Sequence, residues 1–212
     1  MNIQALESRV NAILKIIGGV RPLIDEVSLR TLHQSRSYTD MLGVIQRHML
    51  LLTKLRVGYV TYQPIAPGWV LLPDSYPHYG TREFEKLKVD VYFSKPYLEQ
   101  ASFCSAMIVQ GHELAHVYLA ERRSELARDE IAVDICTMML GFDRMYTLGS
   151  RVVSEETLPT QPQSLWSRIF RRNYDSSPLK IVRVKQTGYL RYDEVMWVAE
   201  QVRHLRTHCQ TE

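Results

Sequence analysis

The sequence predicts an α+β fold in which a small, mostly antiparallel sheet packs on two helices, with a helical segment added at the amino terminus. Three observations support this prediction. Residues 1–56 carry apolar side chains at helical spacing, residues 57–93 contain short β-branched or aromatic runs separated by Pro and Gly, and residues 97–140 carry two further helical patterns. The composition fits a folded domain, because 45% of the residues are hydrophobic and 23% are charged.

Three helices are predicted in the amino-terminal quarter. Apolar positions recur every three or four residues over residues 3–17, and two glycines then end the pattern. A second helical pattern runs from Pro22 to about Leu32, and a third runs from Tyr38 to Leu55. This segment, residues 1–56, could serve as a pro-segment, a cover over a cleft or a partner surface.

Strands are predicted next. Gly58–Tyr62 and Trp69–Leu72 are separated by prolines and a glycine, which is typical of a β-hairpin. Residues 74–85 are predicted to form a loop, and Leu87–Phe93 alternates apolar and polar side chains with the period of a strand. Because this last strand leads directly into the next helix, we expect it to lie along a cleft and offer backbone groups to an extended peptide.

The rest of the chain is predicted to be mixed. Ser94 and Pro96 suit the start of a helix over residues 97–119, and a second helix runs from Ser124 to about Leu140. Residues 143–162 are predicted to be irregular. A short helix over 165–172, a short strand over 181–184 and a final helix over 193–205 follow.

We expect a single structural domain with three parts. An N-terminal helical segment, residues 1–56, precedes a core, residues 57–142. A C-terminal mixed subdomain, residues 143–212, packs on that core. A chain of 212 residues is long enough for one substantial core of this kind.

The net charge and its distribution indicate which classes of partner the chain could bind. The formal net charge of +3 is too small to favour nucleic-acid binding by the whole chain. Basic side chains are concentrated in residues 168–185, which form either a solvated face or a docking surface for an acidic partner or nucleic acid. Those side chains are Arg168, Arg171, Arg172, Lys180, Arg183 and Lys185, against the single acidic residue Asp175.

Cysteine usage and hydropathy indicate the cellular compartment in which the chain is expected to lie. Three widely spaced cysteines, Cys104, Cys136 and Cys209, argue against a disulfide framework and for a reducing environment. The amino-terminal stretch carries Glu7 and Arg9, which is not typical of a signal peptide. No segment reaches the approximately 18 uninterrupted apolar residues of a membrane span. We therefore expect a cytoplasmic location and no membrane partner.

One motif carries the chemistry. His112-Glu113-Leu114-Ala115-His116 lies in the helix predicted over residues 97–119, so both imidazoles fall on one helical face. Two neutral imidazoles there can share one Zn²⁺, while Glu113 is turned far enough round the helix to reach a water molecule at the metal. The motif predicts a site that hydrolyses amide bonds.

A catalytic zinc site needs a third protein ligand and an open position for water. Glu130 is the best candidate, because it lies 14 residues after His116 and a helical hairpin would bring it back across the first helix. Asp134, four residues later on the same face, suits an acceptor for the free N–H of a zinc-bound histidine. The alternative for Glu130 and Asp134 is a solvated acidic face. Other carboxylates that compete for the third position, less favourably placed, are Glu121, Glu125 and Asp129.

These residues resemble the gluzincin metallopeptidases, which combine His-Glu-x-x-His with a glutamate ligand and a carboxylate four positions further on. The short gap before Asp129-Glu130-Ile131-Ala132-Val133-Asp134 is similar to that in compact bacterial gluzincins, including ImmA/IrrE-like peptidases and minimal zincins. Val133 departs from the Ala or Ser that is frequent in the family. The resemblance covers about residues 87–142 and implies a zincin-like fold. It implies His112, His116 and Glu130 as zinc ligands, Glu113 as the base and Asp134 as the orienting group.

Many gluzincins also have a Tyr or His that stabilises the oxyanion. The sequence offers four candidates for this role and does not choose among them. They are Tyr118, Tyr146, His78 and Tyr189.

The sequence therefore predicts a zinc-dependent metallopeptidase that uses Zn²⁺ to hydrolyse peptide bonds in a protein or peptide substrate. Two alternatives stay open. One is a binding or regulatory module that has the metallopeptidase fold without turnover. The other is a basic nucleic-acid-binding protein with a structural metal site, whose DNA binding would depend on salt.

Overall fold

A computed structural model of the chain describes residues 2–62, 64, 66–157 and 180–208. The predicted α+β class is confirmed, because the described residues form helices and a small mixed sheet. The chain divides into two compact units, one formed by Met1–Ser150 with Thr187–Glu212 and the other by Arg151–Gln186. The predicted helix over 165–172 and residues 168–179 of the predicted basic segment lie outside the described residues.

The amino-terminal part is helical, as the apolar spacing predicts. The helices are α1 (Ile3–Ile17), α2 (Glu26–Gln34) and α3 (Tyr38–His48). Gly18 ends α1, because its positive φ of 75° turns its backbone N–H onto the Leu14 carbonyl. The prediction that the third helix continues to Leu55 is wrong. Leu50 adopts a φ of 55°, which turns the chain out of the helix.

Three strands form the sheet of the larger unit: β1 (Lys54–Val60), β2 (Gly68–Leu71) and β3 (Lys88–Ser94). Their order is β1-β3-β2. β1 runs parallel to β3, whereas β2 runs antiparallel to it. A short helix, α4 (Arg82–Lys86), lies within the predicted loop over residues 74–85 and precedes β3.

Two predictions about the sheet are wrong, namely the hairpin and the mostly antiparallel arrangement of the strands. β1 and β2 do not pair with each other, because β3 lies between them. Val89, Val91 and Phe93 of β3 are each at most 1% exposed, so this strand has the most complete apolar row of the three. It takes the central position, where one face is buried and both edges are hydrogen-bonded.

The helix predicted over residues 97–119 is divided into α5 (Lys95–Gln100) and α6 (Phe103–Glu121). The division follows from two caps. Ser94 accepts a hydrogen bond from the backbone N–H of Tyr97, and Ser102 accepts one from that of Ser105. Residues 105–120 of α6 are all buried. This helix therefore forms the centre of the larger unit.

Shorter elements follow α6. A 3-10 turn (Glu125–Arg128) leads into α7 (Glu130–Thr137), and a π turn (Met138–Phe142) leads into α8 (Asp143–Gly149), where the sequence predicts irregular structure. The last helix is α9 (Tyr192–His208). α6 packs against the 3-10 turn, α7, α8 and β2, and α9 packs against α8.

The smaller unit, Arg151–Gln186, contains an antiparallel pair of strands. These strands are β4 (Arg151–Thr157) and β5 (Lys180–Gln186). The sequence predicts the second of them as a shorter strand and places the first in an irregular segment. Across the described part of the chain, none of the helices has the length and apolarity that a membrane crossing requires.

Candidate metal centre

The centre of α6 carries both histidines of the motif. One helical turn separates His112 from His116, so their rings lie on the same face with centroids 4.8 Å apart. The two Nε2 atoms are 3.1 Å apart. His112 and His116 are only 6% and 8% exposed, which places their ring nitrogens in a largely dehydrated environment.

Glu130 reaches these nitrogens from the first residue of α7. Asp129 caps α7 by accepting from the backbone N–H groups of Ile131 and Ala132. Arg9 of α1 holds the other oxygen of Asp129 at 2.8 Å. With this helix start fixed, Oε2 of Glu130 lies 2.9 Å from His112 Nε2 and 3.3 Å from His116 Nε2. The three groups could hold a metal ion.

The Nδ1 atoms determine which nitrogens are free to bind a metal. A carbonyl oxygen can only accept, so His116 Nδ1 carries a proton in its 2.7 Å bond to the Ala127 carbonyl. The carboxylate of Asp134 accepts in the same way from His112 Nδ1 at 2.8 Å. In the neutral imidazole, each Nε2 then presents a lone pair.

The separations suit a tetrahedral ion. Nitrogen and oxygen ligands at about 2.0 to 2.2 Å from a tetrahedral zinc lie roughly 3.4 Å from one another. The observed donor separations of 2.9, 3.1 and 3.3 Å are close to that edge length. Two lone pairs and a carboxylate oxygen thus converge on one point, so the residues present fit a bound divalent cation.

Electrostatics favour positive charge at the same point. Burial lowers the pKa of His112, but its hydrogen bonds to Asp134 and Glu130 outweigh burial and raise the pKa to about 10. The bond to His112 lowers the pKa of Glu130. Burial and then the charge on His112 lower the pKa of His116. The carboxylates that favour a proton on His112 would also favour a metal cation.

Asp134 connects the centre to the start of α9. Its side chain is 0% exposed and accepts four hydrogen bonds. One oxygen accepts from His112 and from the Tyr146 hydroxyl at 2.5 Å. The other accepts from the backbone N–H groups of Tyr189 at 2.6 Å and Leu190 at 3.1 Å. Asp134 therefore fixes the orientation of His112 and the position of the 188–190 loop together.

Glu113 lies beside the ligands, at the edge of the sheet. Its side chain is 7% exposed, and burial raises its pKa to about 7 against the opposing effect of the charge on His112. A Cβ on Gly68 of β2 would lie 2.9 Å from Glu113 Cγ and 3.1 Å from Oε1. The absence of a side chain at Gly68 lets the carboxyl group lie against the strand.

A cleft of about 460 Å³ opens over these residues. We call it the metal cleft. Besides the motif residues and Glu130, its lining comprises Ala66, Gly68, Trp69, Val70, Leu71, Leu72, Ala127, Arg128 and Tyr189. β2 is an edge strand and borders the cleft, whereas β3 is central. The prediction that the strand leading into the metal helix lies along the cleft is therefore wrong, and β2 takes that place.

The amino-terminal helices lie away from the metal cleft. Among the described residues, none of residues 1–56 lines it. α1 packs instead against α7. In this structure the amino-terminal segment supports the helix that carries Glu130 and does not cover the site.

The competing carboxylates have other partners. Glu121 accepts hydrogen bonds from the backbone N–H groups of residues 52 and 53, and Asp129 caps α7. Glu125 is exposed and does not join the metal cluster. Of the candidates considered for the third position, the structure brings only Glu130 to the histidines.

The structure distinguishes the four residues that could stabilise the oxyanion, because only one of them lines the metal cleft. Tyr118 is 0% exposed and packs under Arg122, and Tyr146 is bound to Asp134. His78 accepts from Arg123 Nη1 at 2.7 Å, outside the metal cleft. Tyr189 alone among them lines the cleft, where its ring stacks on His112 with centroids 5.3 Å apart.

Comparisons with protein-family models, with curated proteins and with solved structures find no match for this chain. What the structure supports is a group, His112, His116 and Glu130, that could hold a metal ion. The geometry around this group includes contributions from the Ala127 carbonyl and Gly68, neither of which has a local sequence signal.

Proposed function

We propose that the chain is a zinc-dependent metallopeptidase that hydrolyses peptide bonds of a protein or peptide substrate. The observation that carries the proposal is the convergence of His112, His116 and Glu130 with a buried carboxyl group, Glu113, beside them in an open cleft. A structural metal site would have its coordination closed by protein ligands. Three ligands next to an open cleft are typical of a catalytic site.

The ligand types favour zinc. Two imidazole nitrogens and one carboxylate oxygen form a donor set that zinc accepts in tetrahedral geometry. When bound, the ion supplies Lewis-acid chemistry that polarises a carbonyl group and makes water more acidic. His112 and His116 would present Nε2 to it, held in that tautomer by Asp134 and the Ala127 carbonyl.

Glu113 is proposed as the general base. It takes a proton from the attacking water molecule and later gives that proton to the leaving amine. Burial raises the pKa of this carboxyl group, which strengthens its affinity for the proton it accepts from water. Its position one residue after His112 holds it near the metal ligands, and its side chain lies close to the backbone of Gly68 in β2.

Substrate alignment is assigned to β2. This strand pairs with β3 along one edge only within its sheet. An extended peptide could add to the other edge, where backbone groups would hold it across the metal cleft. Apolar side chains at Val70, Leu71 and Leu72 line the same cleft and would contact alternate side chains of that peptide.

Tyr189 is proposed as the hydrogen-bond donor to the oxyanion. Its side chain is 56% exposed in the metal cleft, and its backbone N–H is fixed by Asp134. Burial and then the negative charges of Glu130 and Glu113 raise the pKa of its hydroxyl, which keeps the phenol protonated at neutral pH. A protonated phenol can stabilise negative charge that develops on the scissile carbonyl.

The proposal is tested by cleavage of a fluorogenic peptide library with protein loaded with Zn²⁺. The wild type should cleave library peptides and lose this activity on addition of a chelator. Glu113→Gln should keep its zinc and lose hydrolysis, while Glu7→Gln, an exposed glutamate that does not line the cleft, serves as the matched control and should cleave as the wild type does. Turnover retained by zinc-loaded Glu113→Gln would exclude this role. Binding without cleavage by the wild type would indicate a binding module instead.

A further inference from the structure

The metal cleft contains one charged side chain that the chemistry above does not use. Its lining includes the metal-site groups, Glu113 and a largely apolar wall formed by Ala66, residues 68–72, Ala127 and Tyr189. Arg128 is the exception. Among the described residues, it is the only cation in the cleft apart from the histidines, so it is the side chain there that can select a substrate by negative charge.

Arg128 is held close to the reacting groups by its neighbours in the chain. The preceding carbonyl, that of Ala127, accepts from His116 Nδ1 at 2.7 Å. Two residues later, Glu130 contacts both histidines. The backbone on each side of Arg128 is therefore fixed to the metal centre. Arg128 lines the same cleft as His112, His116 and Glu130.

The guanidinium group of Arg128 is accessible to a ligand. Its side chain is 69% exposed, and its ion pair with Asp74 is loose, with Nη2 and Oδ1 3.6 Å apart. The Asp74 side chain is fully exposed to solvent. A carboxylate from another molecule can displace such a partner at little cost, because exposed ion pairs contribute little. Two of the five donors of an arginine can then hold a carboxylate at once.

A second cavity, of about 370 Å³, continues from the metal cleft past Arg128. The two cavities share Leu72, Ala127 and Arg128. The second cavity also contains Arg123, together with Asp74 and the exposed Glu125, so its charges balance. Charge selection is therefore assigned to the junction, where Arg128 is the one charged side chain that both linings share.

We propose that Arg128 binds a carboxylate group of the substrate at the junction of the two cavities, so that the enzyme prefers substrates with a negative charge near the cleaved bond. This inference rests on the proposed peptidase function. The carboxylate belongs either to an acidic side chain within the substrate or to the substrate's carboxyl terminus. The first source implies cleavage inside a chain, and the second implies cleavage near its end.

Octapeptides of otherwise uncharged, apolar sequence distinguish the two sources. One series carries Glu, Gln or Lys at each position in turn with an amidated terminus. A second series carries no charged side chain and has either a free or an amidated carboxyl terminus. The preferred carboxylate should raise kcat/KM by about two- to fivefold over its neutral counterpart, the range that exposed ion pairs support. This preference should decrease at high salt.

Variants assign the preference to Arg128. In Arg128→Gln the ratio of Glu to Gln substrates should fall to about one, and in Arg128→Glu the Lys peptide should become the better substrate. Arg82→Gln, an exposed arginine that lines neither described cavity, should keep the wild-type ratio. Asp74→Asn should increase the ratio, because it removes the competing carboxylate. A wild-type ratio in Arg128→Gln, or a wild-type preference for Lys peptides, would overturn the inference.

A binding measurement separates this inference from the proposed function. Zinc-loaded Glu113→Gln protein is expected to bind these peptides without cutting them, so fluorescence anisotropy gives their Kd values directly. The Glu peptide should bind about two- to fivefold more tightly than the Gln peptide, and Arg128→Gln in the same background should abolish the difference. If the wild type cleaves nothing, the proposed function fails, and these Kd values still decide whether Arg128 selects a carboxylate.

Discussion

Asp134→Asn is the substitution that most sharply tests how the metal centre is held. The wild-type carboxylate accepts from His112 and Tyr146 on one oxygen and from two backbone N–H groups, those of Tyr189 and Leu190, on the other. An asparagine can keep the two backbone bonds only by turning its carbonyl towards them. Its amide NH₂ group then faces His112 and Tyr146.

The consequences for the two side chains differ. The Tyr146 hydroxyl can rotate and accept from the new NH₂ group, whereas the Nδ1–H of His112 cannot. His112 then favours the opposite tautomer, with its proton on Nε2, and the lone pair that faces Glu130 and His116 is lost. To bind a metal, the ring must return to the original tautomer and leave a buried Nδ1–H without an acceptor.

That unsatisfied group costs about 1 to 3 kcal/mol, which corresponds to roughly a 5- to 150-fold loss of metal affinity. The range agrees with the 10- to 100-fold losses typical when the hydrogen-bond partner of a metal ligand is removed. Competition with a fluorescent zinc chelator measures the Kd. Tyr146→Phe is the matched control, because it removes a donor to the same oxygen of Asp134 and leaves the acceptor of His112 in place. An unchanged zinc Kd in folded Asp134→Asn protein would refute this account of the histidine tautomer.

Three further predictions concern the proposed base, the partly buried His48 and the metal. Gly68→Ala should lower kcat by about 10- to 100-fold with unchanged zinc content, because the new Cβ would lie 2.9 Å from Glu113 Cγ and displace the carboxyl group. Burial lowers the pKa of His48 below its usual 6.5, so the unfolded chain binds the proton more readily. The contribution of His48 to the free energy of unfolding should therefore be fully present above about pH 6.5. It should decrease as the pH falls towards the lower folded pKa, by at most about 1.4 kcal/mol per pH unit. Urea titrations of the wild type and His48→Gln should give a shallower pH dependence for the variant. Removal of zinc by a chelator should lower the Tm by roughly 5 to 10 °C relative to protein with zinc at 100 times its Kd, since that excess contributes about 2.7 kcal/mol.

Each of these predictions has a clear contrary result. An undiminished kcat in Gly68→Ala would mean that Glu113 is not held by β2. Gly43→Ala is the control for that variant, because its new Cβ would make only an ordinary contact of 3.6 Å with Arg47. Equal pH dependence in the wild type and His48→Gln would exclude His48 as the titrating group. A Tm that does not respond to zinc would contradict a metal site in the folded state.

The sequence predicts the local part of the site well. Residues four apart on a helix share a face, so the pairing of His112 with His116 follows from spacing alone. Glu130 and Asp134 could be proposed because a short connection between two helices limits where the second helix can lie. The structure places both carboxylates on His112, at Nε2 and Nδ1 respectively.

The remainder of the site depends on contacts between distant segments. Tyr189 lies beside His112 because its backbone N–H donates a hydrogen bond to Asp134, 55 residues earlier in the chain. No local sequence pattern predicts that bond. The order of the strands likewise depends on which strand buries the most apolar side chains. β3 takes the central position because Val89, Val91 and Phe93 are buried. Local alternation identifies each strand but not its neighbour. The predicted hairpin was therefore wrong, although both of its strands, β1 and β2, exist.

The central claim is that His112, His116 and Glu130 hold a divalent metal ion in the folded protein. Its most direct test is the zinc content of purified protein after dialysis against a weak chelator, measured by mass spectrometry for the wild type, Glu130→Ala and the exposed control Glu125→Ala. We predict about one zinc ion per chain in the wild type and the control, and clearly less in Glu130→Ala. Equal zinc retention in Glu130→Ala, or no zinc in the wild type, would contradict the account.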